Sequence, residues 1–373
     1  MKGKINIVHI RDSCGIYGAE RVILTLGNNL NKDRYHLTLI ALDDQKGLND
    51  KFIVEARRVG FEVIPVPVKG RVDFKALPVI RNILKEKLAD IIHSHDYKSN
   101  LYTILSSMAM GIKKVVTSHG ATKESFKKRL YLLLDDRIFY QFFHNIIAVS
   151  EKIGVHLSNI KIPSKKISVI PNGIDVSIIQ SSTKSDQKIN FPNNITRVFG
   201  VIGRLTPDKG HRYFIDAFIK VIEKHPSVAA LFVGGGPEKD KLVKQIECQG
   251  LTEKIILTGE RDDMDYIYGM LDCVVIPSLR EGLPYSLLEA MAKKIPVIAT
   301  SVGDIPRLIL PGQTGYLIPA TDISALGKCM DEFLNSPEAA KVMAIRGYEL
   351  LLEKYSAKKM VHEYEKVYES IIS

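Results

Sequence analysis

Between Asp272 and Thr300 the chain reads apolar run, loop, short helix, apolar run, an order that few folds accommodate. Asp272-Cys273-Val274-Val275-Ile276-Pro277-Ser278 is apolar at nearly every position and is ended by proline, the pattern of a strand buried on both faces. Glu281 to Lys294, EGLPYSLLEAMAKK, turns through Gly282 into a short helix, and Ile295 to Thr300 supplies the next strand. Such a unit belongs in a parallel sheet, where ligands bind beyond the carboxyl ends of the strands. Pro284, after Leu283, is expected at the first helical position, where its missing N–H costs nothing. The N–H groups of such a helix start suit a phosphate. Glu281 and Glu289 would repel that phosphate, so they are either solvated or turned to hydroxyls, those of a sugar and a ribose.

The same alternation runs along the chain. Ile5 to Ile10, Leu37 to Leu42, Glu62 to Pro67, Asp90 to His95 and Val115 to Gly120 read as strands, with helices at Arg21 to Leu30, near Lys51 to Val59 and at Phe74 to Lys87. Gly15 and Gly18 in the first loop stand too close for the dinucleotide spacing G-x-G-x-x-G, which argues against a nicotinamide enzyme. His95, Asp96 and His119 sit at carboxyl ends of strands, where imidazole can bond a hydroxyl or move a proton near neutral pH. A structural histidine fits those places too. Lys123 to Leu134 is basic, then apolar: a helix for a membrane surface, or a domain helix with a basic solvent face, and its Lys123, Lys127, Lys128 and Arg129 are expected to cluster with Lys113 and Lys114 around His119.

From Ser177 to Asn194 the residues turn polar without periodicity, which reads as a linker. Beyond it, Val198 to Gly203 leads into Arg204, and Pro207-Asp208-Lys209-Gly210 into a helix at Tyr213 to His225. A rigid guanidinium fork and a point charge at the mouth of a strand are suited to neutralising a leaving diphosphate. Loops carrying Gly235 and Arg261 follow two more strands. Ala357 to Ile372 has its apolar residues along one helical stripe.

Charge is uneven. Residues 1–195 hold 30 Lys and Arg against 18 Asp and Glu, or +12, whereas residues 196–373 carry −2, within a net charge of +10. A basic half asks for an anionic partner, an anionic membrane surface or nucleic acid, and no nucleic-acid motif is present. No apolar run reaches membrane-spanning length and the start reads as a first strand, so a cytoplasmic chain is expected. The 4 cysteines have no metal-ligand or disulfide spacing.

The string Glu281 to Glu289 resembles the signature of the family 4 retaining glycosyltransferases. Gly203-Arg204-Leu205 with Lys209-Gly210, the loop of Gly15 and Gly18 followed by Ala-Glu-Arg, and His119-Gly120 are similar to further motifs of that family. The resemblance spans the chain and implies the α/β GT-B fold, two doubly wound Rossmann-like domains facing a cleft. The implied domains are 1–176 on the acceptor side, a linker 177–196, a nucleotide-sugar domain 197–355, and a C-terminal helix 356–373 crossing back. It implies sugar transfer from a nucleotide diphosphate sugar, with a UDP-sugar favoured, to a glycan or lipid-linked hydroxyl with retention, in cell-surface polysaccharide, lipopolysaccharide or glycolipid synthesis. Glu281, His119, Arg204 and Lys209 are the implied catalytic residues. Gly15, Gly18, Gly203, Gly235, Arg261, Gly282, Leu283, Pro284 and Glu289 join Arg204, Lys209 and Glu281 around the donor, with no metal and no cofactor. Asp304 and Arg307 depart from the family pattern near the sugar end. The rivals are a nucleotide-sugar epimerase or sugar phosphorylase of the same architecture, and a non-catalytic nucleotide-sugar-binding protein.

Overall fold

The computed structural model describes residues 3–12, 15–43, 50–70, 72–119, 138–176 and 188–372. The chain divides into two compact units, Met1–Gly173 with Ala357–Ser373, and Ile174–Ser356. The first unit stops at Gly173 because Ile174 pairs with Ser356 and donates its N–H to the Tyr355 carbonyl at 2.9 Å. Of the expected linker, residues 177–187 lie outside the described residues, as does the basic segment Lys123 to Leu134.

In the first unit the strands are β1 (Ile5–Asp12), β2 (Tyr35–Asp43), β3 (Glu62–Pro67), β4 (Ile91–Ser94), β5 (Lys113–Ser118), β6 (Asn145–Ala148) and β7 (Ile167–Val169). In the second they are β8 (Arg197–Ile202), β9 (Val228–Val233), β10 (Ile255–Gly259), β11 (Cys273–Ile276), β12 (Val297–Thr300) and β13 (Tyr316–Ile318). The sheet orders are β3-β2-β1-β4-β5-β6-β7 and β10-β9-β8-β11-β12-β13, with every pairing parallel. Both are doubly wound. Strand order reverses between β1 and β4, and again between β8 and β11, and the crevice outside such a reversal is where open α/β sheets bind ligands.

Side-chain alternation explains the unbroken apolar strands. Phe199, Val201, Ala230, Phe232, Cys273 and Val275 pack into one core with the helices His211–Lys224 and Ile323–Asn335. Their neighbours Val198, Leu231, Val233, Val274 and Ile276 pack on the other face with the helix Tyr285–Ala292. A sheet covered on both faces has no polar side to display. In the first unit Val8, Ile10, Ile40 and Ile92 meet the helix Ala76–Glu86. The last helix, Ala357–Ile372, belongs to this unit and buries Met360, Val361, Tyr364, Val367 and Tyr368.

Three local expectations need correction. The first helix spans Gly18–Asn29, about a turn earlier than read, because the Glu20 carboxylate folds back to accept the Tyr17 N–H at 3.0 Å. Pro284 is the N-cap, with extended ψ of 136°, and not the first helical residue: its carbonyl accepts the Leu287 N–H at 3.1 Å, so the helix starts at Tyr285. Lys113 and Lys114 open β5, whereas His119 follows its carboxyl end, so strand rise separates them by about 20 Å. They lie instead with His144, whose Nδ1 accepts the Lys114 N–H at 3.0 Å. Among the described residues no helix is long and apolar enough to cross a membrane.

Candidate active site

At the carboxyl edge of the second sheet, loops from four strands hold one another through their backbones. Gly203 donates to the Val233 carbonyl (2.9 Å), Leu205 to Gly235 (2.8 Å), Gly234 to Gly259 (2.8 Å) and Leu279 to Asp208 (2.7 Å). The approach is close enough to demand glycine: a Cβ on Gly234, at φ +141°, would stand 2.1 Å from the Gly203 carbonyl oxygen.

This frame brings residues far apart in sequence into contact. Lys209 Nζ lies 2.6 Å from Glu281 Oε1, and Ser278 Oγ donates to the same oxygen at 2.7 Å. Thr300 Oγ1 in turn donates to the Ser278 carbonyl at 2.6 Å, which pins the end of β11. Side-chain exposures of 20% for Lys209 and 9% for Glu281 leave the pair shielded yet open along one side. Arg204 is exposed at the same edge, as is Gly282, while Leu283 and Pro284 are buried beneath. The Gly282 carbonyl accepts the Asp304 N–H at 3.0 Å, and Gly303, at φ +60°, would press a Cβ to within 2.2 Å of the Glu281 carbonyl oxygen. Asp304 and Arg307, the departures from the family pattern, lie 3.8 Å apart in this loop.

Glu289 is buried, and its Oε2 accepts the Tyr268 hydroxyl at 2.7 Å, so its carboxylate is oriented and not solvated. Arg261 forks onto Asp263, with Nε to Oδ1 at 2.8 Å. Asp263 and Asp265 have a spacing that a divalent ion could bridge, but Asp265 pairs with Lys293 at 2.6 Å and Asp263 with Arg261. Both carboxylates thus already face cations.

The first unit builds a second polar edge. Arg11 bonds Glu20 Oε1 at 2.8 Å, the His95 carbonyl at 2.9 Å and Asp96 Oδ2 at 3.1 Å. Asp96 also caps the helix Tyr97–Ser106 through the Ser99 N–H. Gly18 opens the first helix, and Gly15 stands against the ring of Tyr17. Beneath this edge lies a histidine chain. His9 Nδ1 is 3.0 Å from His95 Nε2, and His95 Nδ1 is 3.4 Å from His119 Nε2. His93 bonds Tyr368 at 2.8 Å and Thr117 at 2.8 Å, and Tyr364 reaches Thr117 at 3.2 Å. Burial pushes His9 down to about 3 and His119, with Arg11 adding to it, also to about 3. Burial and neighbouring imidazoles hold His93 and His95 well below the ordinary histidine value.

Ligand nitrogens of His9, His93 and His95 all lie within 4.8 Å of one another, close enough for a shared cation. Both nitrogens of His93 are already bonded to Thr117 and Tyr368, and both of His95 to His9 and His119, so the geometry is that of a hydrogen-bond chain.

Of the residues marked from sequence, the structure joins Lys209 directly to Glu281 and locks Gly203 and Gly235 into the loops around them. Gly15, Gly18 and His119 belong to the first unit. Sequence reasoning missed Ser278, Tyr268, Arg11 and His9. Ser278 alone carried a signal, as the hydroxyl that closes the apolar run.

The family described as Glycosyl transferases group 1 matches residues 182–350, and the one described as Glycosyltransferase Family 4 matches residues 16–178. An Escherichia coli UDP-Gal:alpha-D-GlcNAc-diphosphoundecaprenol alpha-1,3-galactosyltransferase is 28% identical over 349 residues, 89% of this chain and 87% of that enzyme. CapM of Staphylococcus aureus, a capsular polysaccharide biosynthesis glycosyltransferase, is 25% identical over 80% of this chain and 82% of its own. The Anabaena protein HepE, solved with UDP and glucose, superposes with a TM-score of 0.82 at 19% identity, over 98% of this chain and 100% of that one. A sucrose-phosphate synthase from Thermosynechococcus elongatus superposes at 0.81 and 18% identity, over 99% of each. With both units matched and both sheets doubly wound, this chain belongs to the family 4, group 1 glycosyltransferases and has the GT-B fold.

Proposed function

We propose that this glycosyltransferase moves a sugar from a UDP-sugar to a hydroxyl of a lipid-linked glycan, with retained configuration and without a metal. The observation that carries the reading is the Lys209, Glu281 and Ser278 cluster at the switch point of the second sheet, with Arg204 exposed on the same edge. As the bond from the anomeric carbon to the diphosphate oxygen breaks, charge grows on the diphosphate. Lys209 and Arg204 stabilise that charge, and the acceptor hydroxyl attacks on the same face while its proton passes to the departing diphosphate. Glu281, oriented by Lys209 and Ser278, accepts hydrogen bonds from hydroxyls of the sugar, and Glu289, oriented by Tyr268, accepts from the ribose. His119 hydrogen-bonds the acceptor.

The donor base follows HepE, whose complexes hold UDP and UDP-glucose. The acceptor follows the Escherichia coli relative, whose name specifies a diphosphoundecaprenol glycan. The basic first unit would receive such an acceptor at an anionic bilayer.

The test is release of UDP from UDP-galactose, UDP-glucose and UDP-N-acetylglucosamine with and without a polyprenyl-diphosphate glycan. Acceptor-dependent release supports the reading. Stabilisation by UDP with no transfer to any acceptor makes the protein a binding module, and interconversion of the sugars without release makes it an epimerase.

A further inference from the structure

The histidine chain beneath His119 has a direction, and that direction follows from its buried end. His95 bonds through both ring nitrogens, to His9 at 3.0 Å and to His119 at 3.4 Å. A neutral imidazole carries one N–H and one lone pair, so His95 donates on one side and accepts on the other. The proton positions of all three rings are therefore coupled, and only two arrangements exist. In the first, His9 Nδ1–H donates to His95 Nε2, His95 Nδ1–H donates to His119 Nε2, and His119 keeps its proton on Nδ1. In the second, every proton moves to the other nitrogen: His119 donates inward, and His9 carries its proton on Nε2.

The far end discriminates between them. His9 is 0% exposed, and its Nε2 is buried with no hydrogen-bond partner among the described residues. The first arrangement leaves a bare lone pair there; the second leaves an N–H. Orphaned buried N–H groups are rare in folded proteins, and unsatisfied acceptors are less so. The Phe61 ring, perpendicular to His9 with centroids 5.3 Å apart, offers an N–H group only a second-order contact. Burial, and Arg11 beside His95 and His119, keep the rings uncharged near neutral pH, so one proton per ring is the correct count.

We infer that His95 and His9 are positioning residues that hold His119 as its Nδ1–H tautomer, so that His119 meets its ligand as a hydrogen-bond donor and not as a base. Such a donor suits an oxygen lone pair on the transferring sugar, the acceptor or a phosphoryl group. This consequence rests on the glycosyl-transfer reading, whereas the tautomer itself does not.

Long-range proton–nitrogen correlation spectra of protein labelled with 15N-histidine, recorded at pH 7.5 without ligands, test the inference. His119 signals are assigned by their loss in His119→Ala. A protonated Nδ1 and a bare Nε2 on His119 are expected; the reverse assignment, or a doubly protonated ring, overturns the proposal. In His95→Ala the His119 proton should move to Nε2, the form an imidazole favours in water, and transfer should fall about 10-fold or more while UDP affinity is unchanged. His119 signals unaltered in that variant also overturn it. If melting shows that His95→Ala does not fold, the wild-type spectrum decides alone. A protein that transfers no sugar in the UDP-release assay refutes the glycosyl-transfer reading and still answers the tautomer question.

Discussion

Acidification from pH 7.0 to 5.5 should destabilise the first unit through three side chains it cannot hydrate. His9, His93 and His95 are 0%, 0% and 2% exposed, and burial lowers the basicity of each, His9 to about 3. A lowered value in the folded state means that the unfolded chain, titrating near 6.5, binds more protons throughout the interval between the two. Stability is therefore full above about pH 6.5 and drains away as the pH falls toward the folded-state values. Each histidine loses about 1.3 kcal/mol between pH 7.0 and 5.5, so the three together cost about 4 kcal/mol, a large part of the 5 to 15 typical of a domain. His119, lowered to about 3 as well, and His211 of the second unit, lowered by burial to about 4, add to the loss. Urea unfolding followed by far-ultraviolet circular dichroism at the two pH values measures the loss, since the chain has 0 tryptophans to report by fluorescence. The slope of stability against pH near 5.5 should correspond to at least three protons taken up on unfolding. A stability unchanged between the two values, or a slope below one proton, would refute the claim that these rings are buried and neutral.

Lys209→Ala and Glu281→Gln should each cut turnover by about 10² or more, the scale for losing a preorganised charge stabiliser, with UDP binding retained in Glu281→Gln; equal loss of binding and turnover in Glu281→Gln would move Glu281 to the nucleotide. Glu289→Gln should weaken UDP binding by about 1.5 to 3 kcal/mol, read by calorimetry, and an unchanged affinity would remove Glu289 from the ribose. Gly303→Ala should destabilise by about 1 to 3 kcal/mol and lower turnover, because its Cβ would collide with the Glu281 carbonyl; a wild-type melt and rate would show that the loop yields freely. Flotation with anionic vesicles at low salt should carry the protein upward, less so for Lys127→Glu with Lys128→Glu, and absence of flotation would sink the membrane reading.

Much of this protein is written locally. Alternating apolar strands and amphipathic helices require a doubly wound sheet whatever the tertiary details, because a strand buried on both faces cannot carry polar residues. Glycines after strands mark where loops must turn, and the stripe through Met360, Tyr364 and Tyr368 marks a helix that must dock. Arg204, Lys209, Glu281 and Glu289 stood out as candidates through the resemblance of their strings to family motifs, because charged residues in a loop or a short helix are ordinarily solvated.

Tertiary structure alone decided which of these groups meet. Lys209 and Glu281 are 72 residues apart, and their contact exists because β8 and β11 are neighbours in a strand order that no local pattern encodes. The histidine chain has the same origin. His93 and His95 share a face by the two-residue period of a strand, which the sequence does show. That His9 stands directly opposite His93 depends on β1 pairing with β4, 84 residues away in register, and the tyrosines that close the network arrive on a helix from the far end of the chain. Side-chain period and backbone geometry are properties of neighbouring residues and can be read from them, whereas strand order and register are set by how the whole apolar surface is best covered.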